Sequence, residues 1–206
     1  MKYCSHCGAE VSHRIPPGDN RERFVCDRCD TIFYQNPNLV AGTLAVYQQH
    51  KQPRILLCRR AIEPRLGYWT LPAGFMENGE STAAAACRET REEANAEVTV
   101  QQLLSLISVP HIDQVHLFYL ARLEQPQFSP GEESLEVALF SEADIPWQEI
   151  AFPTVSRTLK HYFRHQHITS QLPCLTDTIE LTDSLKRLEQ QEKMKQHQKS
   201  ASRQTS

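Results

Sequence analysis

The 206-residue sequence predicts a mixed α/β sandwich preceded by a small cysteine-built module. Three observations carry this. Four of the seven cysteines crowd into the first 29 residues, as Cys4-x-x-Cys7 and Cys26-x-x-Cys29. Five apolar runs of strand length follow, at 39–48, 53–60, 97–110, 113–123 and 135–141. Two stretches with helical spacing, 81–94 and 152–166, interrupt and close that series. The organisation read from this is a module over 1–36, a main domain over 37–168 and a polar tail over 169–206.

Composition narrows the function classes. The chain is 40% hydrophobic and 23% charged, with a net charge of -3, an ordinary globular balance. There is no global basic field, so nucleic acid is not an expected partner. The start, "MKYCSHCG", has no apolar core of a secretory signal, and no run approaches the ~20 apolar residues of a membrane span. The expected compartment is the cytoplasm, with no membrane association.

In a reducing cytosol the two Cys-x-x-Cys knuckles, eighteen residues apart, read as metal ligands rather than disulfides. Cys4, Cys7, Cys26 and Cys29 supply four soft thiolates for a tetrahedral structural Zn²⁺. A module this short cannot build a sufficient core, so the metal would supply its folding energy. "QNP" at 35–37 marks the boundary to the main domain. There, "LVAGTLAVYQ" and "PRILLCRR" are strands across a short polar turn, and "YWTLPAGF" leads into the first helix. "EVTVQQLLSLISVP", "DQVHLFYLARL" and "LEVALFS" are further strands, and "ADIPWQEIAF" is a loop or short turn. In the second helix, Val155, Leu159, Tyr162 and Phe163 fall on one stripe. The tail opens with a capping signal at "LTDSLKRLEQ" and is read as partly helical or disordered.

The first helix is the unusual element. Ser81 is placed to cap it, and Ala83, Ala86, Cys87, Thr90 and Ala94 form a small-residue stripe suited to close approach against a sheet. Glu89, Glu92 and Glu93, spaced i, i+3, i+4, gather three like charges on a neighbouring face. A solvated acidic surface is the plain reading of that window alone.

The flanks change it. Gly74, Glu80, Arg88, Glu89, Glu92 and Glu93 stand at the intervals of the Nudix box, G-x5-E-x7-R-E-U-x-E-E-x-G-U with U a bulky aliphatic, and the sequence resembles Nudix hydrolases there. Thr90, Asn95 and Ala96 depart from the pattern: Thr90 predicts a modest loss of packing, and Asn95 a left-handed helix stop in place of glycine. The resemblance implies a Nudix α/β/α sandwich and hydrolysis of a nucleoside diphosphate linked to another moiety. It implies Glu89, Glu92, Glu93 and the Gly74 carbonyl as ligands of Mg²⁺ or Mn²⁺, hard cations that take oxygen donors. Arg88 and Glu80 would pair to orient helix and loop, and Glu93 would belong to the catalytic set. Glu136 or Glu133 would supply an extra metal ligand or the base for water.

Ribbon-bearing Nudix hydrolases include the NADH pyrophosphatases, which carry S-Q-P-W-P-F-P-x-S after the box; that motif is absent here, so a reduced-nicotinamide preference is not expected. The ribbon with "YQNP", "LLCRR", "GYWTLPAGF" and "SPGEESLEVALF" resemble the group containing the plant plastid FAD and ADP-ribose pyrophosphatase. This implies a dinucleotide or nucleotide-sugar substrate, FAD or ADP-ribose. Arg59 and Arg60 carry forked donors suited to substrate phosphates, and Tyr34 and Trp69 are candidates for stacking on a base or flavin, with core or ribbon packing as the alternative for each. A nucleotide-sensing regulator with a nucleic-acid-binding ribbon is the competing class, but such proteins typically lose box glutamates. A structural or homodimer-forming ribbon is compatible with the enzyme.

Overall fold

Each cysteine knuckle closes with a residue in the left-handed region, because the chain must reverse sharply to aim two thiols at one point. Gly8 (φ 72°) follows Cys7 and Asp30 (φ 55°) follows Cys29. The Gly8 and Asp30 amides donate to the Cys4 and Cys26 carbonyls at 2.9 and 3.1 Å. β1 (Val11–Arg14) and β2 (Arg23–Cys26), between the knuckles, and β3 (Ile32–Phe33), after the second, form an antiparallel sheet in the order β1-β2-β3. These elements make up a first compact unit, Met1–Pro37. The four thiols meet within 4.8 Å, with Cys4 Sγ to Cys29 Sγ at 3.7 Å and Cys7 Sγ to Cys26 Sγ at 3.4 Å. Tetrahedral zinc with Zn–S bonds of about 2.3 Å has S···S edges of about 3.8 Å, so the cluster fits that ion.

This structure is a computed structural model that describes residues 1–49, 52–168 and 171–181. The second unit starts at Asn38. It contains β4 (Asn38–Gln49), β5 (Gln52–Arg60), the short β6 (Trp69–Thr70) and β7 (Ala73–Phe75), then helix α1 (Thr82–Ala94). β8 (Val98–Val109), β9 (Gln114–Leu123), β10 (Ser134–Phe140), helix α2 (Pro153–His165) and β11 (Leu175–Thr178) follow. The main sheet runs β10-β5-β4-β9-β8-β11, with β6 on β5 and β7 on β4. β4–β9 and β8–β11 are parallel and the other pairs antiparallel, so the sheet is mixed.

Alternation along β4 divides the sheet into two faces. Leu44 and Val46 join Ile55, Leu57, Phe118 and Leu120 beneath Val155, Leu159, Tyr162 and Phe163 of α2. Ala41 and Ala45 point the other way, toward Ala85, Ala86 and Ala94 of α1. One face is thick and built of large side chains; the other is thin and built of small ones.

Two expectations need correction. The stretch after 168 was assigned to the tail, yet its portion 171–181 extends the sheet. β11 pairs in parallel with β8, Leu172 and Ile179 are buried, and Arg157 of α2 binds the Asp177 carboxylate and the Thr178 carbonyl. A four-residue strand beginning after a proline leaves only a faint period-two signal, and the exposed edge of β8 decides its structure. The charged stretch from residue 182 lies outside the described residues. Trp69 is not free to stack on a substrate: it is buried against Phe140, edge to face at 4.9 Å, because its partner in the β5–β6 pairing is Arg59 and its ring fills the α2-side core.

Candidate functional site

α1 starts and stops on side-chain chemistry. The Ser81 hydroxyl accepts from the Ala84 amide at 3.2 Å, satisfying an orphan N–H of the first turn. Asn95 ends the helix in the left-handed region (φ 46°), its amide donating to the Arg91 carbonyl. Its side chain goes further and donates to the Ser129 and Pro130 carbonyls at 3.2 and 3.1 Å. The Ser129 and Gly131 amides in turn donate to the Ala94 and Glu93 carbonyls at 2.9 and 3.0 Å. The loop 129–133 is therefore docked on the end of α1, and Gly131 permits it: a methyl group there would overlap the Glu92 carbonyl. Sequence reading missed this role of Gly131, although Pro130-Gly131 between acids and a strand marks a tight turn.

The small-residue stripe sits differently from the expectation. The buried positions are Ala85, Ala86, Thr90, Glu93 and Ala94, while Ala83 and Cys87 are only half-buried. The helix is rolled so that one of its acids enters the protein.

Arg88 organises the others. Its guanidinium makes a two-pronged bond to Glu80 (2.8 and 3.2 Å), reaches Glu89 at 2.7 Å and Glu92 at 2.9 Å, and donates to the Phe75 carbonyl at 3.1 Å. Glu80 also accepts from the Glu77 amide at 2.7 Å, which ties the turn before the helix to its second turn. Arg88 accordingly holds the Glu80 carboxyl below its usual range. Glu89 is half-buried against β7, where a methyl group on Gly74 would overlap its carboxylate. Desolvation raises the Glu89 pKa, Arg88 opposes that rise, and Glu92 and Glu133 add to it.

Glu93 is 6% exposed. Burial raises its pKa to about 8, with repulsion from Glu89 and Glu133 adding, while Arg60 and the Ala73 amide oppose. A carboxylate in that position is short of positive charge. The donors are hard oxygens of the kind Mg²⁺ and Mn²⁺ take, and such ions keep several waters, so the carboxylates need not touch one another. Among the described residues only the four cysteines converge within 4.8 Å; the carboxylates instead fan out around Arg88. Their chemistry fits a divalent cation, and the deficit at Glu93 is what one would balance.

The remaining candidates lie on other elements. Glu136 pairs across strands with Arg59, whose guanidinium lies 3.7 Å from it, and the β10 bulge between Ser134 and Glu136 sets that register. Arg59 Nε donates to the Gly67 carbonyl and Arg60 Nε to the Pro64 carbonyl, at 2.9 and 2.8 Å. Both arginines thus spend one donor holding the 61–68 loop, leaving their outer nitrogens for other partners. Arg60 also lies over the Phe152 ring, 5.1 Å from its centre. Tyr34 belongs to the first unit, exposed, with Arg23 over its ring at 5.2 Å.

With that geometry in place, similarity to known proteins bears on it. Residues 2–35 match the profile described as Nudix N-terminal, a zinc ribbon, and residues 37–163 match the NUDIX domain profile. A solved NUDIX hydrolase from Nitrosomonas europaea is similar at 47% identity and a TM-score of 0.81, over 87% of this chain and 99% of that one. An ADP-ribose pyrophosphatase of Methanocaldococcus jannaschii is 29% identical over 118 residues, 55% of this chain and 68% of that protein. A NAD-capped RNA hydrolase NudC of Photobacterium profundum is 25% identical over 143 residues, 69% of this chain and 50% of that protein. The chain matches about half the length of the NudC relatives. No helix among the described residues is long and apolar enough to cross a membrane.

Proposed function

The chain belongs to the NUDIX hydrolase family, and from that premise we propose that it is a divalent-metal-dependent pyrophosphatase acting on an adenosine diphosphate linked to a second moiety, ADP-ribose or FAD. The observation that carries this reading is the buried Glu93, lifted to a pKa of about 8 beside Glu89 and Glu133. A carboxylate buried beside two others supports a cation-binding reading.

The residues divide the work. Glu89, Glu92, Glu93 and the Gly74 carbonyl would hold Mg²⁺ or Mn²⁺. Bound there, the ion neutralises the diphosphate and lowers the pKa of a coordinated water. Arg88 and Glu80 lock the helix to the preceding turn. Glu133, which raises the Glu93 and Glu89 pKa values, or Glu136, the cross-strand partner of Arg59, would take a proton from the attacking water or hold a further ion. Arg59 and Arg60 present their outer nitrogens to the substrate phosphates. Overall one water is consumed and one P–O bond of the anhydride breaks. The products are AMP with ribose 5-phosphate from ADP-ribose, or AMP with FMN from FAD. The ribbon serves as a structural zinc module.

ADP-ribose is favoured by the relative of that activity, and FAD by the "GYWTLPAGF" and "SPGEESLEVALF" resemblance. A NAD-type dinucleotide is the second reading, favoured by the NudC relatives and opposed by the missing S-Q-P-W-P-F-P-x-S motif. The test is product analysis with ADP-ribose, FAD and NADH side by side, in Mg²⁺ and in Mn²⁺. Release of AMP from ADP-ribose or FAD supports the proposal, preferential cleavage of NADH moves it to the second reading, and no AMP from any of them overturns it.

A further inference from the structure

We propose that Thr43 and Thr90 are positioning residues for catalysis, acting as one buried hydroxyl lock that sets where α1 sits; the inference rests on the hydrolase reading above. Thr90 stands at the box position where a bulky aliphatic is usual, and it lies in the helix between Glu89 and Glu93. What the structure shows there is a hydrogen-bonded hydroxyl pair. Thr43 and Thr90 are both 0% exposed, and their hydroxyl oxygens are 2.7 Å apart. The Thr90 hydroxyl donates to the Ala86 carbonyl at 2.7 Å, which commits its only proton, so Thr43 is the donor to Thr90. The Thr43 amide donates to the Pro72 carbonyl at 3.1 Å. One residue on β4 therefore holds both parts of the site: the acidic helix through its side chain, and the segment leading to Gly74 through its main chain.

The alanine contacts of the helix with the sheet are unselective, so directional bonds set its seat: the Thr82 hydroxyl meets the Tyr119 hydroxyl of β9 at 2.6 Å in the first turn, and the Thr43–Thr90 pair acts beside the acids. Ala85, Ala86 and Ala94 let it approach the sheet closely but present no projecting side chain to fix its rotation or its position along the axis. A hydrogen bond is directional, and a buried one tolerates little misalignment. A shift of about 1 Å in a reacting group is enough to cost up to about 10²-fold in rate.

α2 carries the same device. The Thr158 hydroxyl donates to the Thr154 carbonyl at 2.9 Å and pairs with the Ser105 hydroxyl on β8 at 2.8 Å, with all three residues buried. No candidate site residue lies on α2, so its lock is a control for hydroxyl burial without catalysis.

The test compares full-length Thr90→Val, Thr43→Val, the double Thr43→Val/Thr90→Val, Thr90→Ser and Thr158→Val by AMP-release kinetics and thermal unfolding. Each single valine variant at the α1 lock should lower kcat by about tenfold with KM within about twofold. The double variant should fall no further in kcat while its Tm recovers relative to Thr90→Val, the single variant that leaves the Thr43 hydroxyl orphaned. Thr90→Ser should restore kcat, and Thr158→Val should lower Tm with kcat unchanged. Wild-type kcat in Thr90→Val and Thr43→Val overturns the proposal, as does a kcat that merely tracks Tm across the set. A wild type that releases no product fails the hydrolase reading instead, which separates the two.

Discussion

The two helices of the main unit cover opposite faces of one sheet and are built on opposite principles. α2 buries Val155, Leu159, Tyr162 and Phe163 in the largest core cluster. α1 buries alanines, a threonine and a glutamate. Large apolar side chains on α2 provide much of the hydrophobic stabilisation, at ~1.5–3 kcal/mol for each fully buried one. The α1 face forgoes that stabilisation and adds the desolvation of Glu93 as a cost. On the proposed reading, stability and function are carried by different faces, and each should be open to disturbance without the other.

The largest effect should come from Glu93→Gln. It removes the charge and keeps the shape, so turnover should fall by at least ~10³-fold, about 4 kcal/mol in the barrier. Without added divalent ion the variant should be no less stable than wild type. Because burial raises the folded-state pKa of Glu93 to about 8, the folded state binds more protons than the unfolded state between pH 4.5 and 8. Wild-type stability is therefore lost as pH rises through that window, and the variant should escape the loss. Chemical denaturation at several pH values checks this.

Leu159→Ala is the converse. It opens a cavity at a fully buried α2 position and should cost about 3 kcal/mol of stability, with kcat of the folded protein unchanged. A smaller but catalytic effect is expected from Gly74→Ala, whose methyl group would displace the Glu89 carboxylate. Turnover should drop by about 10–100-fold with little change in Tm.

The smallest effect tests the α2 side by pH. Burial lowers the His116 pKa to about 4, while its ring nitrogens bond Thr154 and Gln114. The unfolded state then binds the proton more readily, so stability is lost as pH falls from 6.5 toward 4. The ring is only partly buried, so wild type and His116→Gln should differ by of the order of 1–2 kcal/mol across that range, and a parallel pH profile for the two would contradict the assignment.

α2 was legible in the sequence because large apolar residues at helical spacing leave a clear period. α1 was legible as a helix, with its cap at Ser81 and its stop at Asn95, and Ala86, Thr90 and Ala94 of its expected stripe are buried, but Ala85 and Glu93 are buried where Ala83 and Cys87 were expected. Alanine reports little about orientation, and reading Glu89, Glu92 and Glu93 as metal ligands did not say which of them is buried; Glu93 is, at 6% exposure. The knuckle spacing announced the cysteine cluster because tetrahedral thiolate geometry constrains sequence distance as well as space. Trp69 stood as a candidate for both stacking and core because an aromatic at a box edge suits either, and the β5–β6 pairing decides for the core. β11 was invisible because four residues on an edge strand carry too little pattern to compete with a polar neighbourhood.

The central claim is that Glu93 is buried at a cost which a divalent cation relieves. Zinc-loaded protein in magnesium-free buffer at pH 8 should gain thermal stability on titration with Mg²⁺, up to a plateau, and Glu93→Gln should show little or no gain. An equal gain in the variant, or none in the wild type, would contradict it.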